Sequence, residues 1–268
     1  MVVKLYDHPL SPYGQKVKIA LLEKGIEFQS VLPSAIGSGQ VDGTFAAANP
    51  RGEVPALLDG DAAIFDSTVI LEYIEDKWPT PALLPPTPIE RARVRMLEEV
   101  MDTHFEAITW ALSEIRNFGR AEGAEAERLE AAGAAELTRW YQWLKQQLGG
   151  RRWFNGETFG WGDLCVVPFV NGAKSFGHSL ATGSALADWD ARANARDSVR
   201  KVSAEAATMT MQGASAGMAA VRQALLAGLF KREYRDHRLE WMIRNGAIDV
   251  VERGIERHNI RFTEPFAR

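Results

Sequence analysis

The chain has 268 residues, 46% hydrophobic and 25% charged, enough to bury one large core or two modest ones. Its formal charge of -4 gives no overall attraction for nucleic acid or an anionic bilayer. The single cysteine, Cys165, excludes an intramolecular disulfide and a cysteine-built metal cage, and suits a reducing compartment, by default the cytoplasm. The start of the chain lacks the basic and long apolar regions of a signal peptide, and no apolar run approaches the ~18 residues of a membrane span.

In chain order, "VVKLY" reads as a strand and "PYGQKVKIALLEKG" as a helix with Val17, Ile19, Ala20, Leu21 and Leu22 as its apolar face and Gly25 as its stop. "IEFQSVL" is a second strand, and strand–helix–strand at this spacing predicts a parallel, right-handed crossover. After a loop-rich stretch, "VPALLDGDAAIFD" reads as two strands turning at Asp59-Gly60-Asp61, and "STVILEYIEDKW" as an amphipathic helix. The order is βαβ then ββα, a thioredoxin-like arrangement. "PTPALLPPTP" cannot be helix or central strand and marks a boundary, so the domains are expected at 1–79 and 89–268 with a linker at 80–88.

Beyond the linker the strand signal vanishes, and an all-helical domain is expected. Residues 89–115 and 126–148 have helical period, and 161–176 is an apolar helix that Pro168 should kink unless it lies in the first turns. The stretch after Ala191 continues helical to the C-terminus.

Two helix starts carry candidate chemistry. Ser11 precedes Pro12, which suits a first helical position because it has no N–H to leave unpaired. A hydroxyl there has two uses: it caps the helix, or it donates to an anion held at the positive end of the helix dipole. Asp66 and Ser67 sit at a second such start, where capping and anion binding again both select these residue types. Between them, Pro55 biases Val54 toward extended backbone.

"SPYGQKVKIALLEKGI", "NPRGEVPALLDGD" and "DSTVILEYIEDKWP", in this order and followed by a proline-rich linker and helices, resemble the cytosolic glutathione transferases over roughly residues 1 to 190. The resemblance implies an α/β plus all-α fold, with glutathione as co-substrate and Ser11 as the hydroxyl that stabilises its thiolate. It implies a cis Pro55, a Val54 backbone that pairs with the cysteinyl part of glutathione, and a γ-glutamyl carboxylate at Asp66 and Ser67. Glu53 and Gln40 fall in regions that touch glutathione in relatives. Tyr6 and Tyr13 are rival donors, since other branches use tyrosine. Serine in place of the cysteine of thiol-transferring branches removes the simplest route to disulfide exchange.

Tyr13, Met101, Phe105 and Trp110 are the expected wall of an electrophile pocket, with Trp161 and Phe176 in similar positions, while Cys165 reads as an inert core residue. Relatives often carry Ser or Thr where this chain has Gly160, three residues before Asp163. The implied activity is attack by glutathione on a small aromatic or apolar electrophile, by conjugation, ether cleavage or dehalogenation. The implied assembly is a homodimer that needs no metal, nucleic acid or membrane. A carrier or regulatory protein of the same fold is the alternative. The tail after Ala191 exceeds the usual ending and is expected to cover the pocket.

Overall fold

A computed structural model describes residues 2–33, 43–212 and 217–262; Gln40 lies outside the described residues. Strands β1 (Val3–Tyr6), β2 (Phe28–Val31), β3 (Ala56–Asp59) and β4 (Ala62–Phe65) form one sheet of order β2-β1-β3-β4. β1 runs parallel to β2 and antiparallel to β3, and β3 pairs antiparallel with β4. Helix α1 (Pro12–Glu23) makes the β1-to-β2 crossover, α2 (Gly43–Ala48) precedes β3, and α3 (Ser67–Lys77) follows β4.

Alternation along β1 decides which helices cover which face. Val3 and Leu5 point with Leu57 into a core shared with Val17, Leu21, Ile70 and Ile74 of α1 and α3. Tyr6 and Ala56 point the other way, onto Phe45 and Ala48 of α2. The tight β3–β4 turn uses Gly60 at a φ of 62°, a conformation glycine adopts without a side-chain clash.

The proline-rich segment is more than a spacer. Leu83 and Leu84 are buried in the large core, Leu83 N–H and Leu84 N–H donate to Glu75, and the Leu83 carbonyl accepts from Trp161 N–H at 2.8 Å. The main core therefore runs without a break from the sheet into the helices.

Those helices are α4 (Pro88–Val100), α5 (Glu106–Arg116), α6 (Gly123–Leu148), α7 (Trp161–Leu164), α8 (Val167–Ser175), α9 (Ala185–Asn194), α10 (Asp197–Gln212), α11 (Met218–Leu226), α12 (Asp236–Arg244) and α13 (Ile248–Glu256). The helix expected over 89–115 is interrupted by a π-helical turn at Met101–Phe105. Pro168 falls at the start of α8, where its missing N–H costs nothing, and the apolar helix breaks just before it. The domain is not wholly helical: β5 (Arg232–Glu233) pairs in parallel with β6 (Ile260–Arg261), two strands too short and too charged to show alternation. Among the described residues no helix is long and apolar enough to cross a membrane.

The tail docks through buried glutamates. Glu106 accepts from Arg238 at 2.6 and 3.0 Å and lies 3.1 Å from His237. Glu114 takes Arg232 and the Tyr234 hydroxyl, and Glu136 takes Trp241 Nε1 and Arg244. Against the upward push of burial, Arg238 and His237 hold the Glu106 carboxyl down at about 2. Removing one partner of such a pair strands a buried charge, so Glu106→Ala should cost about 3–5 kcal/mol in chemical denaturation. The double change Glu106→Leu, Arg238→Met removes both members of the buried ion pair, leaving only His237 and the Glu233 carbonyl short of a partner, and should recover part of that loss. Equal destabilisation of the two variants would show that the charge pairing is irrelevant to docking.

Candidate active site

Register brings the candidate residues to one edge of the sheet. Tyr6 pairs with Ala56 and Ala56 with Phe65, so the loop leaving β1, the approach to β3 and the exit from β4 lie side by side. Ser11, Val54-Pro55 and Asp66-Ser67 belong to those three segments.

Ser11 is the N-cap of α1: its backbone is extended and its Oγ accepts from Gly14 N–H at 3.3 Å. That bond uses a lone pair, and the hydroxyl proton stays free to donate. The rival hydroxyls are differently placed. Tyr13 donates its proton to the Asp102 carbonyl at 2.6 Å, its ring stands edge-on to Phe169, and burial pushes its phenol well above the ordinary range. Tyr6 lies in the small core against Phe45, with its hydroxyl 3.3 Å from Thr44 Oγ1. His8 holds Leu10 N–H on Nδ1, and burial lowers its pKa.

The Val54–Pro55 bond is cis. Among the described residues neither the N–H nor the carbonyl of Val54 is hydrogen-bonded, which leaves both for an added extended peptide. Asp66 caps α3 by accepting from Thr68 and Val69 N–H at 3.1 and 3.4 Å, and the buried Ser67 is the first helical residue. Asp66 has a φ of 74°, a left-handed conformation that costs a non-glycine residue roughly 1–3 kcal/mol. Such strain concentrates where geometry serves a site. Glu53 stands beside Arg51 and Arg235, and burial together with the nearby Glu233 pushes its carboxyl up to about 7.

Beneath the start of α3 lies a buried charge cluster. Lys16 donates to Glu98 at 2.7 Å and Asp102 at 2.5 Å; Thr68 Oγ1 and Trp161 Nε1 also donate to Glu98. Burial opposes the Lys16 charge, but the two carboxylates win and raise its pKa. One cation cannot match two carboxylates. Burial, helped by Glu98 and opposed by Lys16, pushes Asp102 up to about 7.

The aromatic stripe expected to line an electrophile pocket is core instead. Met101 and Phe105 have no accessible surface, so they offer no face to a second substrate. Trp110 is buried under the tail, edge-on to Tyr234 at 4.7 Å with Arg232 and Arg238 over its ring. Trp161 is buried as the Glu98 donor, and Phe176 is half-buried under Arg116. Tyr13 stands beside Ser11 but spends its hydroxyl on Asp102. Two surface clefts, about 570 and 620 Å³, are lined by other residues, His104 and Trp140 in one and Trp153 and Arg196 in the other.

Gly160 is explained by close approach. A Cβ there would lie 2.3 Å from Asn155 Nδ2 and 2.4 Å from the Leu83 carbonyl, so Ser or Thr does not fit. Asp163 still accepts from the Gly160, Phe154 and Asn155 N–H groups and from Trp189 Nε1, and burial pushes it up to about 6 against those donors. Cys165 is fully buried and its thiol pKa is raised well above the usual range by that burial.

A family model for the glutathione S-transferase N-terminal domain matches residues 5–82. A maleylacetoacetate isomerase of Pseudomonas aeruginosa is 30% identical over 181 residues, covering 66% of this chain and 84% of that protein. The chain belongs to the glutathione S-transferase family. A glutathione S-transferase from Rhodospirillum rubrum superposes with a TM-score of 0.65 at 28% identity, over 75% of this chain and 91% of its own. Rice GST1, solved in complex with glutathione, superposes with a TM-score of 0.62 at 28% identity over 75% of this chain and 89% of its own. The thioredoxin-like domain and the helical domain of this chain are those of the transferase fold.

The raised Asp102 carboxyl has a pH signature. The native state keeps its proton up to about pH 7, whereas the unfolded chain releases it near about pH 4. Between those values the native state binds more protons, so stability falls as pH rises, by up to about 1.4 kcal/mol per unit for one proton. Glu53 and Asp163 act with the same sign. Asp102→Asn should flatten the stability profile between about pH 4 and 7 and leave the slope of the other two groups. Urea unfolding across that window checks it, and parallel profiles for variant and wild type would refute it.

Proposed function

We propose that this chain is a glutathione transferase with a serine-type site. The observation that carries this reading is Ser11 at the start of α1, capping Gly14 with a lone pair while its proton stays free, on the same sheet edge as the unpaired Val54 backbone and the capped start of α3.

Glutathione lies along Val54, its cysteinyl N–H and carbonyl pairing with that residue's backbone as an extra strand. Its γ-glutamyl carboxylate sits at the start of α3, where Asp66 has taken the Thr68 and Val69 N–H groups and the Ser67 N–H and hydroxyl remain. The thiol then reaches Ser11. A free thiol is mostly protonated at neutral pH; the hydroxyl hydrogen bond and the positive end of α1 favour the thiolate, whose proton leaves to water. The thiolate attacks an electrophilic carbon: a C–S bond forms, and the electron pair of the broken bond departs with the leaving group or moves onto the rest of an addition acceptor. Isomerisation, the reaction named by the Pseudomonas relative, would use the same thiolate reversibly, adding to an alkene carbon and leaving again. The protein's contribution is positioning and thiolate stabilisation. A carrier of the same fold would bind glutathione without turnover.

A homodimer would bury exposed apolar side chains such as Val69 on α3 and Ile89 and Met96 on α4.

Because Ser11 both caps and donates, Ser11→Ala should show two separate losses. Stability should fall by about 1 kcal/mol from the lost cap. The pKa of bound glutathione should rise by about one to two units, the equivalent of roughly 1.5–3 kcal/mol for a charge-assisted hydrogen bond, and the rate at neutral pH should fall tenfold or more. Ultraviolet titration of the thiolate in the complex reads the second loss directly. A variant that loses stability alone would leave Ser11 a cap, and wild-type protein that binds glutathione without turning over any electrophile would make the chain a carrier.

A further inference from the structure

We propose that Arg51 and Arg235 form a carboxylate-binding clamp beside Val54, one guanidinium supplied by the thioredoxin-like domain and the other by the C-terminal tail. Both converge on one atom: Arg51 Nε and Arg235 Nη1 each lie 3.7 Å from Glu53 Oε2. Their other acidic neighbours are equally loose, with Arg51 Nη1 3.9 Å from Asp66 Oδ2 and Arg235 Nε 4.0 Å from Glu233 Oε1. These separations exceed the ~3.2 Å reach of an N–H···O bond. Among the described residues neither guanidinium donates a hydrogen bond, although both are about three-quarters withdrawn from solvent.

The neighbouring arginines differ. Arg261 donates to Glu233 at 3.1 Å and to the Arg51 carbonyl at 3.2 Å, and Arg238 is spent on Glu106. Arg51 and Arg235 thus hold unspent forks of planar donors, the geometry that takes a carboxylate bidentately. The charge around them allows it. Arg51, Arg235 and Arg261 face Glu53, Glu233 and Asp66, and burial together with Glu233 pushes the Glu53 carboxyl up to about 7, so an incoming anion meets no surplus of negative charge.

The clamp rests on the glutathione reading above, since Glu53 adjoins the Val54 backbone along which the tripeptide lies. A carboxylate reaching it comes from one of two sources: the glycine end of glutathione, or a carboxylate on the second substrate. The experiment separates them. Binding of glutathione and of its glycine ethyl ester is measured by calorimetry for wild type, Arg235→Gln and Arg51→Gln, and KM is measured for an electrophile as its free acid and as its methyl ester.

If the glycine carboxylate is the ligand, each variant should weaken glutathione about tenfold while binding the ethyl ester as wild type does. If the second substrate supplies it, glutathione affinity should hold and the preference for the acid over the methyl ester should fall about tenfold. The clamp is overturned if both variants keep affinity and acid preference within twofold of wild type. It is also overturned if acid and ester forms weaken in parallel, which marks a displaced tail rather than a lost carboxylate contact. Wild-type protein that binds no glutathione sinks the functional reading and the clamp with it, whereas wild-type binding with indifferent variants sinks the clamp alone.

Discussion

The structure depends on one electrostatic constraint: the helical domain buries glutamates 98, 106, 114 and 136, and each must find a donor or cation outside its own helix. A carboxylate taken out of water without a partner costs several kcal/mol. Lys16 and Thr68 reach Glu98 from the thioredoxin-like domain, with Trp161 Nε1 completing its shell, while Arg238, Arg232 and Arg244 reach the other three from the tail. The same charges that would penalise a helical domain left bare thereby fix the angle of the first domain and the path of the last residues. Pairs of this kind contribute little net stability compared with apolar packing of the same volume. Their effect is on position, because each glutamate is satisfied by a donor from a different segment.

That constraint shapes the site. Lys16 lies in α1, five residues after Ser11, and Thr68 lies one residue after Ser67, so the bonds that satisfy Glu98 also pin the two helix starts to each other. The π-helical turn at Met101–Phe105 adds Asp102, which meets Lys16 through its side chain and Tyr13 through its carbonyl. Tyr13 thereby spends its hydroxyl on Asp102 and becomes a strut holding the first turn of α1. The hydroxyl left with an unspent proton beside the helix start is serine, not tyrosine.

Much of this was legible in the sequence, for local reasons. Strand alternation in "VVKLY" and the turn at Gly60 report the sheet because period and turn chemistry are short-range, and the placement of Ser11, Val54 and Asp66-Ser67 beside one another at element ends could be expected because each closes or opens an element. Met101, Phe105 and Trp110 failed because a periodic stripe identifies the inward face of a helix without saying whether a cavity or more protein lies opposite. Here the tail and α6 fill that space. The π-helical turn shifts the helix register without a compositional mark, and β5 and β6 are too short to alternate. Arg235 was illegible for a different reason: nothing in "KREYRDHRLEW" says which arginine meets a glutamate far earlier in the chain.

The tail is part of the fold and also reaches the candidate site, where Arg235 lies 3.7 Å from Glu53. Tyr234, Trp241 and Val250 sit in the main core, so the segment is held by apolar burial as well as by the glutamates. Its contacts near Val54 are looser: Arg261 on the Arg51 carbonyl, and Arg235 at a distance from Glu53. Arg235 lies between Tyr234, whose hydroxyl donates to Glu114, and Arg238, which donates to Glu106, so anchors on either side hold its guanidinium near Glu53. In the proposed clamp, a carboxylate gripped by arginines from both sides binds only the docked segment, and by linkage it stabilises docking by as much as docking strengthens its binding.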